Sequence, residues 1–386
     1  MRKLLIIVFT LFLTGCGTAN NTVPSSTPPA SASMNEPIIS APEMVWQAAF
    51  DGIPKASPQL GGGHVIVATE TAVTALNPQN GEVAWQVKPE NGVWRRAIAA
   101  SDDIVVVGVP NAVLALDAVT GEILWQQSIE GDLLWPARIL ESAVYLGSAF
   151  VGPDSPPKPE GKGWVYRLDK TSGEVIWAVE TAAYSLVTPV VHNDWVIVAG
   201  SLLDEEDVKE GGHLRIHAFA AEDGRLRWQV DRTDGFMKTL AVDDQHLYFA
   251  AYTDMVFGLR LENGEEVWRY PTENWSPGFV YANGTLFFGS DNAFVHAVDG
   301  ESGKVVWKRP LAGIFNAPRS PLVAIGDYLY FQSNDNRLYC LQKSTGEVVW
   351  QTEPQPRSLF TPAIGYDHLF LIGRDGILYA YQSTTG

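Results

Sequence analysis

The 386-residue chain has little sulfur, with two cysteines and five methionines. A disulfide framework is excluded, since Cys16 and Cys340 could form one bridge at most. Neither an adjacent cysteine pair nor a Cys-x-x-Cys-His haem attachment occurs. No stretch repeats with the 3.6-residue apolar period of an amphipathic helix. Past Leu13 no apolar run approaches the ~18 residues that a membrane-spanning helix needs. Positive charge is also scarce. Lys and Arg number 27 against 44 Asp and Glu, a net charge of −17, which argues against partners that demand clustered cations, nucleic acid and anionic lipid surfaces. A Gly-x-Ser-x-Gly nucleophile elbow is missing. His64, His192, His213, His217, His246, His296 and His368 stand singly. His213 and His217 lie four apart on a stretch that reads as strand, where a metal pair would prefer i, i+2 spacing.

What the chain has is a repeat. Trp46, Trp85, Trp125, Trp177, Trp228, Trp268, Trp307 and Trp350 recur 39 to 52 residues apart. Each after the first follows Gly-x-x-x: Gly81, Gly121, Gly173, Gly224, Gly264, Gly303 and Gly346. Between them run short alternating segments joined by turn signals, such as Leu369-Phe370-Leu371-Ile372, Arg374-Asp375-Gly376, then Ile377-Leu378-Tyr379. Four such strands in about 40 residues make a propeller blade. Gly386 has no Trp after it and Trp46 has no Gly before it. Eight of each pair only if the N-terminal strand completes the last repeat. The expectation is an all-β, eight-bladed β-propeller over residues 44–386, its last blade closed by that strand. Two intervals are about a dozen residues longer, and the extra residues fall at Phe150 to Gly163 and Ser201 to His213, expected as long loops on blades three and four. The acidic run 204–210 in the second loop lacks the spacing of a dedicated calcium loop and reads as a solvated surface.

The Gly should turn the chain with positive φ between third and fourth strands. The Trp should wedge against the next blade with its N–H on a backbone carbonyl. All eight tryptophans are therefore expected as packing elements. Cys340 is expected as a buried small hydrophobe.

The repeat resembles the tryptophan-docking motif of the quinoprotein family, Ala-x-Asp-x-x-Thr-Gly-x-x-x-Trp, best matched by Ala115, Asp117, Thr120, Gly121 and Trp125. Arg167 and Cys340 stand where most copies have Ala or Gly. The family includes pyrroloquinoline-quinone (PQQ) dehydrogenases and the propeller lipoproteins of the outer-membrane β-barrel assembly machinery. Those enzymes hold PQQ with an adjacent cysteine pair, a calcium ion on Glu and Asn side chains, and an Asp base. With no Cys-Cys here and no long insertions, the expectation is a non-enzyme without PQQ. Size and bare ring resemble the assembly lipoproteins more closely, which implies a scaffold for protein partners at the cell envelope, read here as a monomer.

The N-terminus supports export. Arg2-Lys3, the apolar run Leu4 to Leu13 and Thr14-Gly15-Cys16 form a signal of secretory polarity. Leu13-Thr14-Gly15-Cys16 resembles the bacterial lipobox, which implies cleavage of residues 1–15 and lipidation of Cys16. Residues 16–43, rich in Ser, Thr, Pro and Asn, then read as a disordered tether, so that the membrane is reached through lipid alone.

An alternative use lies on the propeller axis, where inner strands converge. Most begin with Ser/Thr-Pro; the departures place Trp94, Arg95, Arg96, Trp135, Arg138, Lys238, Trp275 and Arg319, with Phe315, near one end of the channel. Rings and guanidinium groups suit a planar anion, as in an extracytoplasmic ligand-binding or sensor module. The simpler expectation is that they plug the channel.

Overall fold

The computed structural model describes residues 37–54, 56–94, 97–149, 163–183, 186–202, 213–233, 237–251, 254–273, 276, 278–311, 317–318, 321–358 and 360–383, with Met237 and Lys238 described in backbone alone. Among these residues lie 33 strands and no helix. They form eight antiparallel sheets in which chain neighbours pair, as expected when short alternating runs are joined by tight turns. Blade 1 comprises Gln59–Gly61, His64–Ala68, Val73–Leu76 and Val83–Val87. Blades 2 to 7 occupy 98–128, 132–181, 190–232, 237–271, 279–310 and 323–351. Blade 8 combines 363–383 with the N-terminal strand Pro42–Ala48, which pairs with Leu378–Ser383.

A single blade buries neither face of its own sheet, and the core is correspondingly divided. Eight apolar clusters occur, one at each seam between neighbouring blades. The cluster that closes the ring joins Phe370, Ile372 and Ala380 of blade 8 to Val65, Val67 and Leu76 of blade 1.

Every outer strand carries the same irregularity. The ladder pairs Ala75 with Trp85 and then Leu76 with Val83, leaving Ala84 as an extra residue. The same bulge precedes Trp in all eight blades, at Leu124, Ile176, Arg227, Val267, Val306, Val349 and Val45. A bulge re-aims the side chain that follows it; here it turns each indole toward the next blade. The same bulge leaves the two residues before each Trp at the rim, so that Val83, Ile123, Leu124, Val305 and Val306 are exposed.

The indole then meets the turn of the following blade. Gly81 packs on Trp46, Gly121 on Trp85, and so on to Gly346 on Trp307. A glycine thus serves the tryptophan of the preceding repeat and not its own. These seven glycines have φ of +67° to +76°, and a Cβ on any of them would lie 2.6–2.9 Å from the indole. Asp117 shapes such a turn: its Oδ1 accepts N–H bonds from Val119 at 2.9 Å and Thr120 at 2.7 Å. Asp169 does the same with Thr171 and Ser172. Backbone N–H donation holds both carboxyls below the ordinary range, because such bonds favour the charged form.

Gly121→Ala combines a disfavoured backbone with a collision on Trp85 and should cost about 2–4 kcal/mol. Gly63 has φ +78° but open space around it, so Gly63→Ala should cost only about 1 kcal/mol. Urea denaturation of the two variants checks the difference; equal losses would remove the packing role from the motif glycine.

Candidate functional site: the blade seams and the channel mouth

All eight tryptophans of the repeat lie on outer strands and donate Nε1–H to a carbonyl of the next blade or its surrogate. The acceptors are Pro78, Ala118, Lys170, Ala221, Leu261, Gly300 and Lys343, at 2.8–3.1 Å. Each acceptor follows the end of a third strand. At the eighth seam the equivalent residue would be Ser383, yet Trp350 donates to the Ile38 carbonyl at 2.9 Å. Tyr330 donates its hydroxyl to the same oxygen at 3.2 Å. Ile38 itself is 3 % exposed and packs in the cluster between blades 7 and 8. The segment before the first strand therefore completes a seam as well as a blade. Sequence inspection misses this because the contact needs a carbonyl, and every residue has one. Ile38→Ala should cost about 2–5 kcal/mol in equilibrium unfolding, and a loss under 1 kcal/mol would show that the clasp is dispensable.

Two seams are individual. Arg167 faces Trp177 where other blades have a small residue. Its guanidinium donates to the Ala221 carbonyl at 2.9 Å and the Glu222 carbonyl at 3.1 Å, so Ala221 accepts from both Arg167 and Trp177. Cys340 faces Trp350, fully buried, and burial pushes its thiol up to about 12. A thiol so placed stays protonated and packs as a hydrophobe.

In a four-stranded antiparallel meander, turns between strands one and two and between strands three and four share one face of the ring. The turns at 101–103, 140–142, 193–194, 243–245, 326–327 and 366–367, with 77–82, 117–122, 169–174, 220–225, 260–265, 299–304 and 342–347, carry 20 Asp and Glu against five Lys and Arg. Most of the chain's net charge of −17 thus sits on one face. The blade-to-blade connections and the second-to-third turns lie on the other, which holds the channel mouth.

There the structure places Trp94, Trp135 and Arg138. Trp94 is half-buried and packs against the cluster containing Ala97, Leu133 and Ala137, between blades 2 and 3. Its Nε1 is buried with no hydrogen-bond partner among the described residues. The inner strand of blade 3 does not begin at Trp135 as the sequence suggests. It starts at Asp132–Leu133, breaks over 134–137, and resumes at Arg138–Ile139; Pro136 has no N–H for the ladder. Arg138 is exposed and Trp135 half-buried. Arg95, Arg96, Trp275, Arg319 and Phe315 lie outside the described residues, as do Cys16, Gly386, residues 150–162 and 203–212 of the two insertions, and with them the acidic run 204–210; for Lys238 only the backbone is placed. The strands flanking the insertions, Ala143–Ala149 with Gly163–Asp169 and Trp195–Leu202 with His213–Ala220, assign them to blades 3 and 4.

Among the described residues no three His, Cys, Asp or Glu side chains come together as a metal site. His213 and His217 share the strand His213–Ala220, about 13 Å apart at strand rise, too far for one ion. The residues present do not fit a quinone cofactor held in the manner of the family's enzymes: the second cysteine of such a pair does not exist, and Cys340 is committed to a seam.

Fold and seams define a propeller of the tryptophan-docking class. The sequence pattern of the family described as "Outer membrane protein assembly factor BamB" matches residues 40–131, 69–149, 161–274 and 256–386, and the chain belongs to that family. It is similar to the outer membrane protein assembly factor BamB of Yersinia pestis, 25% identical over 298 residues, spanning 73% of this chain and 70% of that protein. The crystal structure of BamB from Moraxella catarrhalis superposes with a TM-score of 0.63 at 19% identity, over 89% of this chain and all of the other. The quinohemoprotein alcohol dehydrogenase of Comamonas testosteroni superposes with 0.67 at 13% identity, over 89% and 77%. At these identities the two structures attest the fold alone.

Buried imidazoles sit in these seams as well. His296 lies between Tyr270 Oη and Ser290 Oγ, each 3.0 Å away, and His217 stacks on Phe219. Burial, with Lys308 and Arg215 nearby, lowers both to about 4 from 6.5. An imidazole with a depressed folded pKa binds its proton first in the unfolded chain, so stability is full above pH 6.5 and falls between pH 6.5 and 4. The loss should approach about 3 kcal/mol per group. Urea midpoints across that window should fall for the native chain and flatten in His217→Gln/His296→Gln; parallel slopes would sink the assignment.

Proposed function

We propose that this chain is an exported, lipid-anchored, non-enzymatic propeller scaffold that binds protein partners in outer-membrane protein assembly. The observation that carries the reading is the family match through residue 386 from residue 40, on a ring whose repeat residues are consumed by seam packing. Cleavage of residues 1–15, lipidation of Cys16 and a tether leading from it are part of the proposal, as is a monomer that works without PQQ; the tether stops short of the expected residue 43, because Ile38 is buried in a seam and Pro42–Ala48 is a strand of blade 8. The acidic face favours partners with neutral or basic contact surfaces and disfavours adsorption to anionic headgroups.

Affinity purification of the tagged chain from crosslinked envelope membranes should recover barrel-assembly proteins, and Cys16→Ala should move the chain from the membrane to the soluble fraction. Recovery of none of those proteins, or dye reduction that depends on added PQQ and calcium, would overturn the scaffold reading.

A further inference from the structure

The N-terminal residues enter the ring from its acidic face. Pro42 pairs with Ser383 at the end of a third strand, and Ala48 pairs with Leu378 at its start, so the chain before Pro42 lies beside the turns that carry the acidic residues. Ile38 is buried between blades 7 and 8. Pro37 already stands over blade 7, its ring 3.8 Å from the place a Cβ on Gly326 would take. Gly326 and Asp327 form the first turn of that blade, between Val323–Ile325 and Tyr328–Gln332. Followed toward the N-terminus, the chain therefore climbs from the seam with blade 8 onto the crest of blade 7.

On the far side of that crest is a notch. It is an open space of about 150 Å³ in the seam between blades 6 and 7, with Thr285, Phe287, Val306, Trp307, Asp327 and Lys343 among its walls. A space of that size accepts a group as large as benzene. Val306 is 56% exposed there. Lys343 stands half-buried at the rim, its Nζ donating to the Gly326 carbonyl at 2.6 Å. Lys170, at the equivalent place in blade 3, pairs with Asp103 of blade 2 at 2.5 Å. The turn of blade 6 that faces Lys343 is Asn283-Gly284, which has no charge, and Lys343 has no carboxylate partner among the described residues.

We infer that the residues just before Pro37 continue over this turn and occupy the notch, with the Met34 side chain against Trp307 and Phe287 and the Glu36 carboxylate beside Lys343. Reach, shape and charge select that occupant. Three residues extend about 10 Å at most, and about 10 Å is the thickness of one sheet layer. Met34 is the first apolar side chain before Pro37; an unbranched thioether fills irregular gaps and its sulfur is favourable at a ring edge. The turns of this face carry 20 Asp and Glu against five Lys and Arg, so a carboxylate is repelled over most of it and Lys343 is one of the few places that attract it. The chain toward Cys16 then departs from the acidic face above blades 6 and 7, opposite the channel mouth. The inference does not rest on the scaffold reading.

Oxidation of the full chain by hydrogen peroxide, followed residue by residue with mass spectrometry, tests it, because a covered thioether is converted to sulfoxide more slowly than an exposed one. Met44, 52% exposed, is the internal reference. Met34 should be oxidised at least about fivefold more slowly than Met44. Val306→Lys, at an exposed position of the notch, should keep the native thermal midpoint and bring Met34 to the rate of Met44. Val267→Lys, at the matching exposed position of blade 5, should leave Met34 protected. Lys343→Glu should also release Met34, and Glu36→Lys added to it should restore the protection. Equal rates for Met34 and Met44 in the native chain, protection that survives Val306→Lys, or failure of the charge exchange to rescue each overturns the proposal. Protection that vanishes on dilution places Met34 against a second copy of the chain and overturns it as well.

Discussion

The contact between an indole and the turn of the next blade governs this molecule. An indole N–H needs a carbonyl, its ring needs a flat neighbour, and the neighbour must be glycine because a Cβ would occupy the space of the ring. Bulge and glycine recur with that contact, and most blades add a small residue opposite the Trp. Gly258 shows how tight it is, since a side chain there would run into the Trp268 indole. The contact is repeated at seven seams, and at the eighth Trp350 docks on the Ile38 carbonyl to close the ring.

Closure places unusual weight on the N-terminal residues. Trp46 supplies the last docking indole, and Ile38 supplies the carbonyl that Trp350 requires. The end of the chain that leads toward Cys16 therefore belongs to two seams at once. Membership of the assembly-factor family gives this arrangement its context, a ring whose repeat tryptophans are occupied in the seams between blades. The separation of charge follows the same division, with acidic residues concentrated in the turns of one face and the channel mouth on the other.

Much of this was legible in the sequence, for reasons that can be named. Gly121 and Trp125 are recognisable because the turn and the seam tolerate few alternatives, and a motif with few alternatives recurs visibly. Arg167 and Cys340 were recognisable as departures, but their consequences were not: one guanidinium bridges to the next blade, and one thiol is sealed beneath Trp350. The channel mouth was the least legible part. Trp94 reads as a candidate ligand platform and packs in a seam, and the inner strand of blade 3, expected to begin at Trp135, starts at Asp132 and breaks around Pro136.

The sequence by itself determined the blade count, the place of each turn and the incomplete first and last repeats that must combine, because these depend on local geometry and on periodicity. Tertiary structure decided which glycine serves which tryptophan, that the Ile38 carbonyl completes the eighth seam, and that acidic turns distant along the chain share a face. Such facts depend on which residues the closed ring brings together, and spacing along the chain carries no record of that.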